Sequence, residues 1–178
     1  MSDDVCRHGL VIIYTGNGKG KTTAAMGMAV RAVGWKQKVL IVQFAKGGWR
    51  SGEQSVLSAL DGVELVTLEE DASWIEERSD EDNTAEAQHG LDLLEQAILD
   101  QKFQLVILDE INVLLSKGFV DVSRLLDLLE RRPEWMTVVL TGRGGAQEVC
   151  SIADLISEVQ EIKHPFQAGI PAQKGIDF

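Results

Sequence analysis

A glycine-rich segment near the start of the chain, residues 15–23, carries the residue types that bind a polyphosphate. Gly16, Gly18 and Gly20 alternate with polar residues, and Lys21 and Thr22 follow directly. Glycines permit positive φ and let backbone N–H groups approach phosphate oxygens. In this pattern the lysine contacts the phosphates and the threonine hydroxyl ligates Mg²⁺. We therefore predict that the segment binds a nucleotide triphosphate, with Mg·ATP as the expected ligand.

The pattern departs from the common phosphate-loop sequence G-x-x-x-x-G-K-[ST] at its first position, which is Thr15. An unusual loop shape is the expected consequence. The alternative interpretation is a glycine-rich turn that contains Gly-Lys-Thr by chance. An apolar run precedes the segment and a helical stretch rich in alanine and methionine follows it, and this strand-to-helix context favours the phosphate loop.

Two acids, Asp109 and Glu110, follow the buried apolar run at residues 105–108. Ligands of open α/β sheets gather at the carboxyl ends of strands, so one acid is expected to hold Mg²⁺ directly or through water. The pair is alternatively a cap for the short helix that follows, and the two roles can coexist. Arg143, just past the next apolar run, is predicted either to reach phosphate or ribose or to be a turn residue.

The elements that must position these residues are predicted from hydrophobic periodicity. Six apolar runs indicate strands at residues 10–14, 39–44, 63–68, 105–108, 138–140 and 156–162, with the last at a sheet edge. Helical spacing relates Ala87, Leu91, Leu94 and Ile98, and likewise Val122, Leu125, Leu126 and Leu129. Strands that alternate with helices predict a wound, mostly parallel sheet with helices on both faces. The polar stretch 69–83 is predicted to be a surface loop.

Composition narrows the class of protein. The 178 residues are 44% hydrophobic and 25% charged, which is typical of one globular domain. The net charge of −11 argues against nucleic acid as a partner. No apolar stretch has the length of a membrane span and no basic signal-peptide start is present, so we expect a cytoplasmic protein. Cys6 and Cys150 form no metal-ligand pattern and are expected to be reduced.

Several blocks of sequence agree with one family, the P-loop corrinoid adenosyltransferases, and the similarity runs nearly end to end. Two blocks are the most specific, because ordinary P-loop enzymes lack them: residues 42–53, Val-Gln-Phe-Ala-Lys-Gly-Gly-Trp-Arg-Ser-Gly-Glu, and the tail at residues 164–178. The remaining blocks are Gly-Asn-Gly-Lys-Gly-Lys-Thr-Thr at 16–23, Leu-Asp-Glu-Ile at 108–111 and Thr-Gly-Arg-Gly at 141–144. The resemblance implies one RecA-like P-loop domain over residues 1–178.

The resemblance also implies a reaction. The Co(I) of a corrinoid attacks the 5′-carbon of ATP, which gives an adenosylcobalamin-type product and triphosphate. Because Co(I) is a strong nucleophile, no general base is needed, in keeping with a chain that has only three histidines. ATP is expected to bind with its terminal phosphate deep in the loop and its 5′-carbon facing the corrinoid.

Site residues follow from the same resemblance. Lys21, Thr22 and Glu110 are expected to be catalytic, and Thr22 and Glu110 to hold Mg²⁺. Trp74 matches a position that packs beneath the corrinoid, or alternatively packs on the domain surface. The residues expected to bind nucleotide or corrinoid are Gly16, Asn17, Gly18, Lys19, Gly20, Lys21, Thr22, Thr23, Arg31, Arg143, His164 and Trp74.

The chain also departs from the family pattern. Ala72 stands where relatives have a second aromatic residue, and the N-terminal arm, residues 1–8, is short. A homodimer and a reductase that supplies electrons are expected from the resemblance. Two alternatives stay open at this point: a RecA-like ATPase that cleaves the β–γ bond, and a nucleotide- or corrinoid-binding regulator without turnover.

Overall fold

The computed structural model describes residues 8–44, 51–68 and 75–177, and a six-stranded sheet forms its centre. The strands are β1 (Val11–Thr15), β2 (Val39–Gln43), β3 (Val63–Thr67), β4 (Leu105–Asp109), β5 (Thr137–Thr141) and β6 (Leu155–Glu158). Their order is β3-β2-β4-β5-β1-β6, and neighbouring strands in this described sheet are parallel. The predicted wound parallel sheet is confirmed.

The strand order decides which loops can meet. β5 lies between β1 and β4, with Tyr14 opposite Thr141 and Leu108 opposite Leu140. All three strands therefore end at the same edge of the sheet. Since neighbouring strands lie about 4.8 Å apart, the segments that follow them converge on one small region.

Helices cover both faces of the sheet. They are α1 (Lys21–Gly34), α2 (Gly52–Leu57), α3 (Asp80–Asp100), α4 (Ile111–Ser116), α5 (Val122–Arg131) and α6 (Gln147–Ile152). On one face, Met26 and Ala29 of α1 join a buried cluster with Ile12 and Ile41. On the other face, α3 to α6 contribute to a larger cluster that includes Leu91, Leu94, Leu125, Val106 and Val149. The predicted two-sided α/β fold is confirmed.

Two boundaries differ from the sequence prediction. In the stretch expected to be a loop, residues 75–77 form a 3-10 turn and α3 begins at Asp80, because Ser79 caps it by accepting from the Asp82 N–H at 3.1 Å and acids occupy the first turn. β6 lies at the predicted edge but ends at Glu158, opposite Thr15. Its partner strand ends there, so Ile162 beyond it is 94% exposed.

Parts of the predictions fall on residues that the structure does not describe. These are residues 1–7 of the short arm, residues 45–50 of the 42–53 block, residues 69–74 with Ala72 and Trp74, and residue 178. None of the helices within the described ranges has both the length and the apolarity that a membrane crossing requires.

Candidate functional site

The phosphate loop, residues 15–23, joins the end of β1 to the start of α1. Gly16 and Gly20 have φ of 98° and 123°, values that L side chains rarely adopt. Gly18 does not have positive φ and is needed for a different reason. A Cβ there would lie 2.8 Å from backbone atoms of Gln160, and the Gly18 N–H donates to the Val159 carbonyl at 2.7 Å. Gly16 and Gly20 therefore provide the positive φ of the loop, whereas Gly18 provides room for another backbone segment.

Thr15, which replaces the usual first glycine, connects two loops. Its hydroxyl donates to the Gly144 carbonyl at 2.7 Å. Gly144 lies in the Thr-Gly-Arg-Gly-Gly turn after β5, so this bond holds that turn against the phosphate loop. A glycine at position 15 has no hydroxyl for this contact, which gives the departure from the common pattern a structural reason.

Lys21 lies inside the loop that precedes it. Its side-chain Nζ donates to the carbonyls of Gly16 and Gly18, each at 2.8 Å, and the residue is only 8% exposed. Burial lowers the pKa of Lys21, and the charge of Glu110 acts in the opposite direction. The backbone of the loop therefore positions one ammonium group at the end of β1, where an anionic ligand is expected.

The hydroxyl of Thr22 meets the buried acid at the end of β4. Thr22 Oγ1 donates to Asp109 Oδ1 at 2.9 Å, and Thr141 Oγ1 donates to the same oxygen at 2.7 Å. The Glu110 N–H in turn donates to Thr141 Oγ1 at 2.9 Å. Because the proton of Thr22 is directed to Asp109, the lone pairs of its oxygen remain available to a cation.

Glu110 has a left-handed backbone, with φ 70° and ψ 9°, at the position that precedes α4. Such a conformation costs a non-glycine residue about 1–2 kcal/mol and is concentrated at functional sites. Its side chain makes no capping hydrogen bond to α4, so the capping alternative is not what the carboxylate does. Instead, Oε2 lies 3.2 Å from the position that a Cβ on Gly142 would occupy.

The donors gathered here suit a hard cation. A threonine hydroxyl and two carboxylates at the carboxyl edge of the sheet are oxygen ligands, which Mg²⁺ prefers. In the described parts of the chain, no group of three or more His, Cys, Asp or Glu side chains is placed to hold a metal ion. Mg²⁺ sites that combine one or two carboxylates with substrate phosphates need no such group. The residues present therefore fit Mg²⁺ bound together with a polyphosphate.

The C-terminal tail folds back onto the phosphate loop. Lys19 Nζ lies 2.8 Å from Asp177 Oδ1, and the Gln173 N–H donates to Asp177 Oδ2 at 2.7 Å. The bond from Lys19 is the main reason that the pKa of Asp177 lies below its ordinary value, and the charge of His164 lowers it further. His164 accepts from the Phe166 N–H through Nδ1 at 3.2 Å. The tail thus places His164 and Asp177 on the side of the loop that carries Lys19.

Other predicted residues are placed less centrally. Asn17 and Thr23 are exposed on the loop, and Arg143 is exposed on the turn after β5, close enough for its charge to lower the pKa of Lys21. Arg31 is exposed in the last turn of α1, about 15 Å along the helix from Lys21 at the usual helical rise. Trp74 lies outside the described residues. That these residues bind nucleotide or corrinoid stays a prediction.

Sequence reasoning passed over residues that the structure adds to the site. Asp109 was recognised within its acidic pair but Glu110 alone was named as a metal ligand, whereas Asp109 contacts Thr22. Gln43 and Thr141 are also buried beside Asp109. The sequence could have indicated Gln43 and Thr141, because each ends an apolar strand, where a buried polar side chain needs a hydrogen-bond partner. For Asp177 no local signal exists, since its partner lies at the other end of the chain.

Comparison with known proteins agrees with this geometry. A family model described as ATP:corrinoid adenosyltransferase BtuR/CobO/CobP matches residues 7–178. The chain is 38% identical over 170 residues to the corrinoid adenosyltransferase of Escherichia coli K12, covering 96% of this chain and 86% of that protein. It is 39% identical to the corrinoid adenosyltransferase CobA of Salmonella typhimurium over 96% of this chain and 86% of that protein. A third relative, from Sinorhizobium sp., is 37% identical over 100% of this chain and 84% of its own length. The chain therefore belongs to the ATP:corrinoid adenosyltransferase family.

Proposed function

We propose that this protein transfers the 5′-deoxyadenosyl group of ATP to the Co(I) of a corrinoid and releases triphosphate. The observation that carries the proposal is the family match over residues 7–178, which spans the phosphate loop, the Asp109–Glu110 pair, the turn after β5 and the tail. Relatives that cover almost the whole chain bear the name corrinoid adenosyltransferase.

In the proposed reaction the electron pair of Co(I) forms a bond to the 5′-carbon, and the bond from that carbon to the triphosphate oxygen breaks. The electron pair of the broken bond leaves with the triphosphate. No proton is abstracted, so the protein needs no general base. Its tasks are to hold the 5′-carbon in line with cobalt and to stabilise the negative charge that develops on the leaving group.

The phosphate loop is suited to the second task. Lys21 is held by two backbone carbonyls of the same loop, so its charge is in place before the reaction and needs no reorganisation. α1 begins at this residue and directs the free N–H groups of its first turn towards the loop. Both features stabilise the triphosphate more strongly as its negative charge increases during cleavage of the bond to the 5′-carbon.

Thr22, Asp109 and Glu110 are proposed to hold Mg²⁺ at this edge of the sheet, with Asp109 acting through the Thr22 hydroxyl that it orients. When bound, Mg²⁺ would supply further positive charge to the triphosphate. Arg143 and His164 are proposed to contact other groups of the nucleotide. Trp74 is proposed for the corrinoid face, and a homodimer and an electron-supplying reductase complete the proposal.

The test is an anaerobic incubation of the protein with MgATP and chemically reduced cobalamin. Light-sensitive adenosylcobalamin and triphosphate should form in equal amounts, and Lys21→Ala should form neither at a comparable rate. ADP and phosphate as the products would indicate an ATPase instead. Nucleotide or corrinoid binding without any product would indicate a regulator, and either result would overturn the proposed reaction.

A further inference from the structure

Two glutamine side chains, Gln43 and Gln54, are hydrogen-bonded to each other beside Asp109. Gln43 is the last residue of β2 and is completely buried, although the other four residues of that strand are apolar. It belongs to the block at residues 42–53, which carries much of the family resemblance. A buried amide must be hydrogen-bonded, so its partners indicate what it does.

The partners of Gln43 form a chain of hydrogen bonds with a fixed direction. The backbone N–H of Ser51 donates to Gln54 Oε1 at 3.2 Å, and Gln54 Nε2 donates to Gln43 Oε1 at 2.7 Å. Gln43 Nε2 then donates to Asp109 Oδ2 at 3.3 Å. A backbone N–H can only donate, so it determines which way the Gln54 amide faces. That in turn orients the Gln43 amide with its NH₂ group towards Asp109.

The other oxygen of Asp109 faces the phosphate loop. Oδ1 accepts from Thr22 and Thr141, while Oδ2 accepts from Gln43. The last torsion of an aspartate side chain is soft, with a broad range of accessible angles. A donor on Oδ2 limits this rotation and keeps Oδ1 directed at the Thr22 hydroxyl. Gln43 thus influences the orientation of the Thr22 hydroxyl indirectly, through the carboxylate of Asp109.

We propose that Gln43, oriented by Gln54, is a positioning residue that keeps Asp109 and the Thr22 hydroxyl arranged for Mg²⁺ bound to the nucleotide. The inference rests on the proposed function for its metal and nucleotide. It assigns Gln43 of the 42–53 block, and Gln54 directly after that block, to the metal edge of the site and not to contact with ligand. Substitution of Gln43 should therefore lower the affinity for ATP in the presence of Mg²⁺ more than it lowers the affinity for ATP in its absence.

Calorimetric titration of the full chain with ATP, in Mg²⁺ and separately in EDTA, measures this benefit. It is expressed as the dissociation constant in EDTA divided by the dissociation constant in Mg²⁺, which we call the ratio. Gln43→Glu keeps the shape but replaces the donor with an oxygen that faces Asp109 Oδ2. The ratio is expected to fall about tenfold, as for a lost hydrogen bond to a charged group. ATP affinity in EDTA should change less than about twofold on the same scale. Gln54→Met should lower the ratio in the same direction by about threefold.

The matched control is Gln96→Glu. Gln96 Nε2 donates to Asp100 Oδ1 at 2.7 Å, which is the same amide–carboxylate pair on the exposed face of α3. This variant should keep the wild-type ratio. If Gln43→Glu does not fold, as judged by its thermal transition, Gln43→Met removes the donor without adding charge and is expected to show the same loss.

The outcomes separate the inference from the proposed function. An unchanged ratio in the Gln43 variants, or equal losses of affinity with and without Mg²⁺, would overturn the positioning role while leaving the proposed reaction intact. Wild-type protein whose ATP affinity does not depend on Mg²⁺ would overturn the metal assignment and the inference with it. A wild-type ratio above one together with no adenosyl transfer would count against the proposed reaction alone.

Discussion

Two lysines of the phosphate loop, separated by one glycine, are held in contrasting ways. Lys21 is 8% exposed and donates to two carbonyls of its own loop. Lys19 has a side chain that is 43% exposed and pairs with Asp177, from the far end of the chain. The first contact depends only on the local fold of the loop, whereas the second exists only when the tail is docked.

The two lysines therefore differ in what holds them: the loop itself holds Lys21, whereas the C-terminal tail holds Lys19. Desolvation lowers the pKa of Lys21, and its backbone bonds compensate for part of the cost of burying an ammonium group. An exposed pair such as Lys19 and Asp177 is screened by water and salt and contributes little to stability. Lys21 should therefore dominate the binding of triphosphate, and Lys19 should chiefly influence the position of the tail.

The largest expected effect is that of Lys21→Ala. Removal of one preorganised charge from the leaving group should lower the rate of adenosylcobalamin formation by about 10²–10³-fold. Lys19→Ala should lower the same rate less than about fivefold, because its charge is exposed. Single-turnover assays with pre-reduced cobalamin measure both. Equal losses in the two variants would contradict the distinction between the lysines.

Thr22 extends the comparison to the metal edge. Thr22→Val keeps the shape of the side chain but removes the hydroxyl that donates to Asp109, and transfer at limiting Mg²⁺ is expected to fall about 30-fold. Thr22→Ser keeps the hydroxyl and should remain within about threefold of wild type. A titration of the rate against Mg²⁺ concentration makes the measurement. A serine variant as impaired as the valine variant would argue for packing and against a role of the hydroxyl.

Glu110 tests whether backbone strain at the site serves function. Glu110→Gly relieves the left-handed conformation, so the free energy of unfolding should be unchanged or up to about 1 kcal/mol higher. The transfer rate should nevertheless fall about tenfold with loss of the carboxylate. Chemical denaturation and the adenosylation assay measure the two quantities. A variant that is both less stable and fully active would reverse the argument.

The smallest effect is expected at Asp177. Asp177→Asn should change the dissociation constant of MgATP less than about threefold, while hydrogen exchange of residues 165–177 becomes faster. The folded-state pKa of Asp177 is lowered from its ordinary value of 3.8, so the contact is fully present above that value and is lost as pH falls through the lowered pKa. The protection that this pair gives the tail should therefore be the same from about pH 6 to pH 8. High salt should reproduce the variant, and a tail unaffected by either would show that other contacts hold it.

The elements were predictable because their signals are local. The apolar runs at residues 39–44 and 105–108 needed no knowledge of their neighbours to be recognised as buried strands, and β2 and β4 confirm them. The polar stretch that contains Ser79 was misjudged because a cap and an acidic first turn resemble a loop in composition. The reason for a glycine at position 18 could not be read from the sequence, because the backbone that excludes a side chain there is that of Gln160, which is distant in sequence.

For the candidate site, the sequence by itself determined which residues carry chemistry: a glycine loop with Lys21 and Thr22, and an acidic pair after a buried strand. Only the tertiary structure decided which acid contacts Thr22, because β5 separates β1 from β4 and the register brings Asp109 to that hydroxyl. It also decided that Gln43 supports Asp109 and that Asp177 pairs with Lys19. A motif can be recognised from a short stretch of sequence, whereas contacts between residues far apart along the chain depend on strand order and packing.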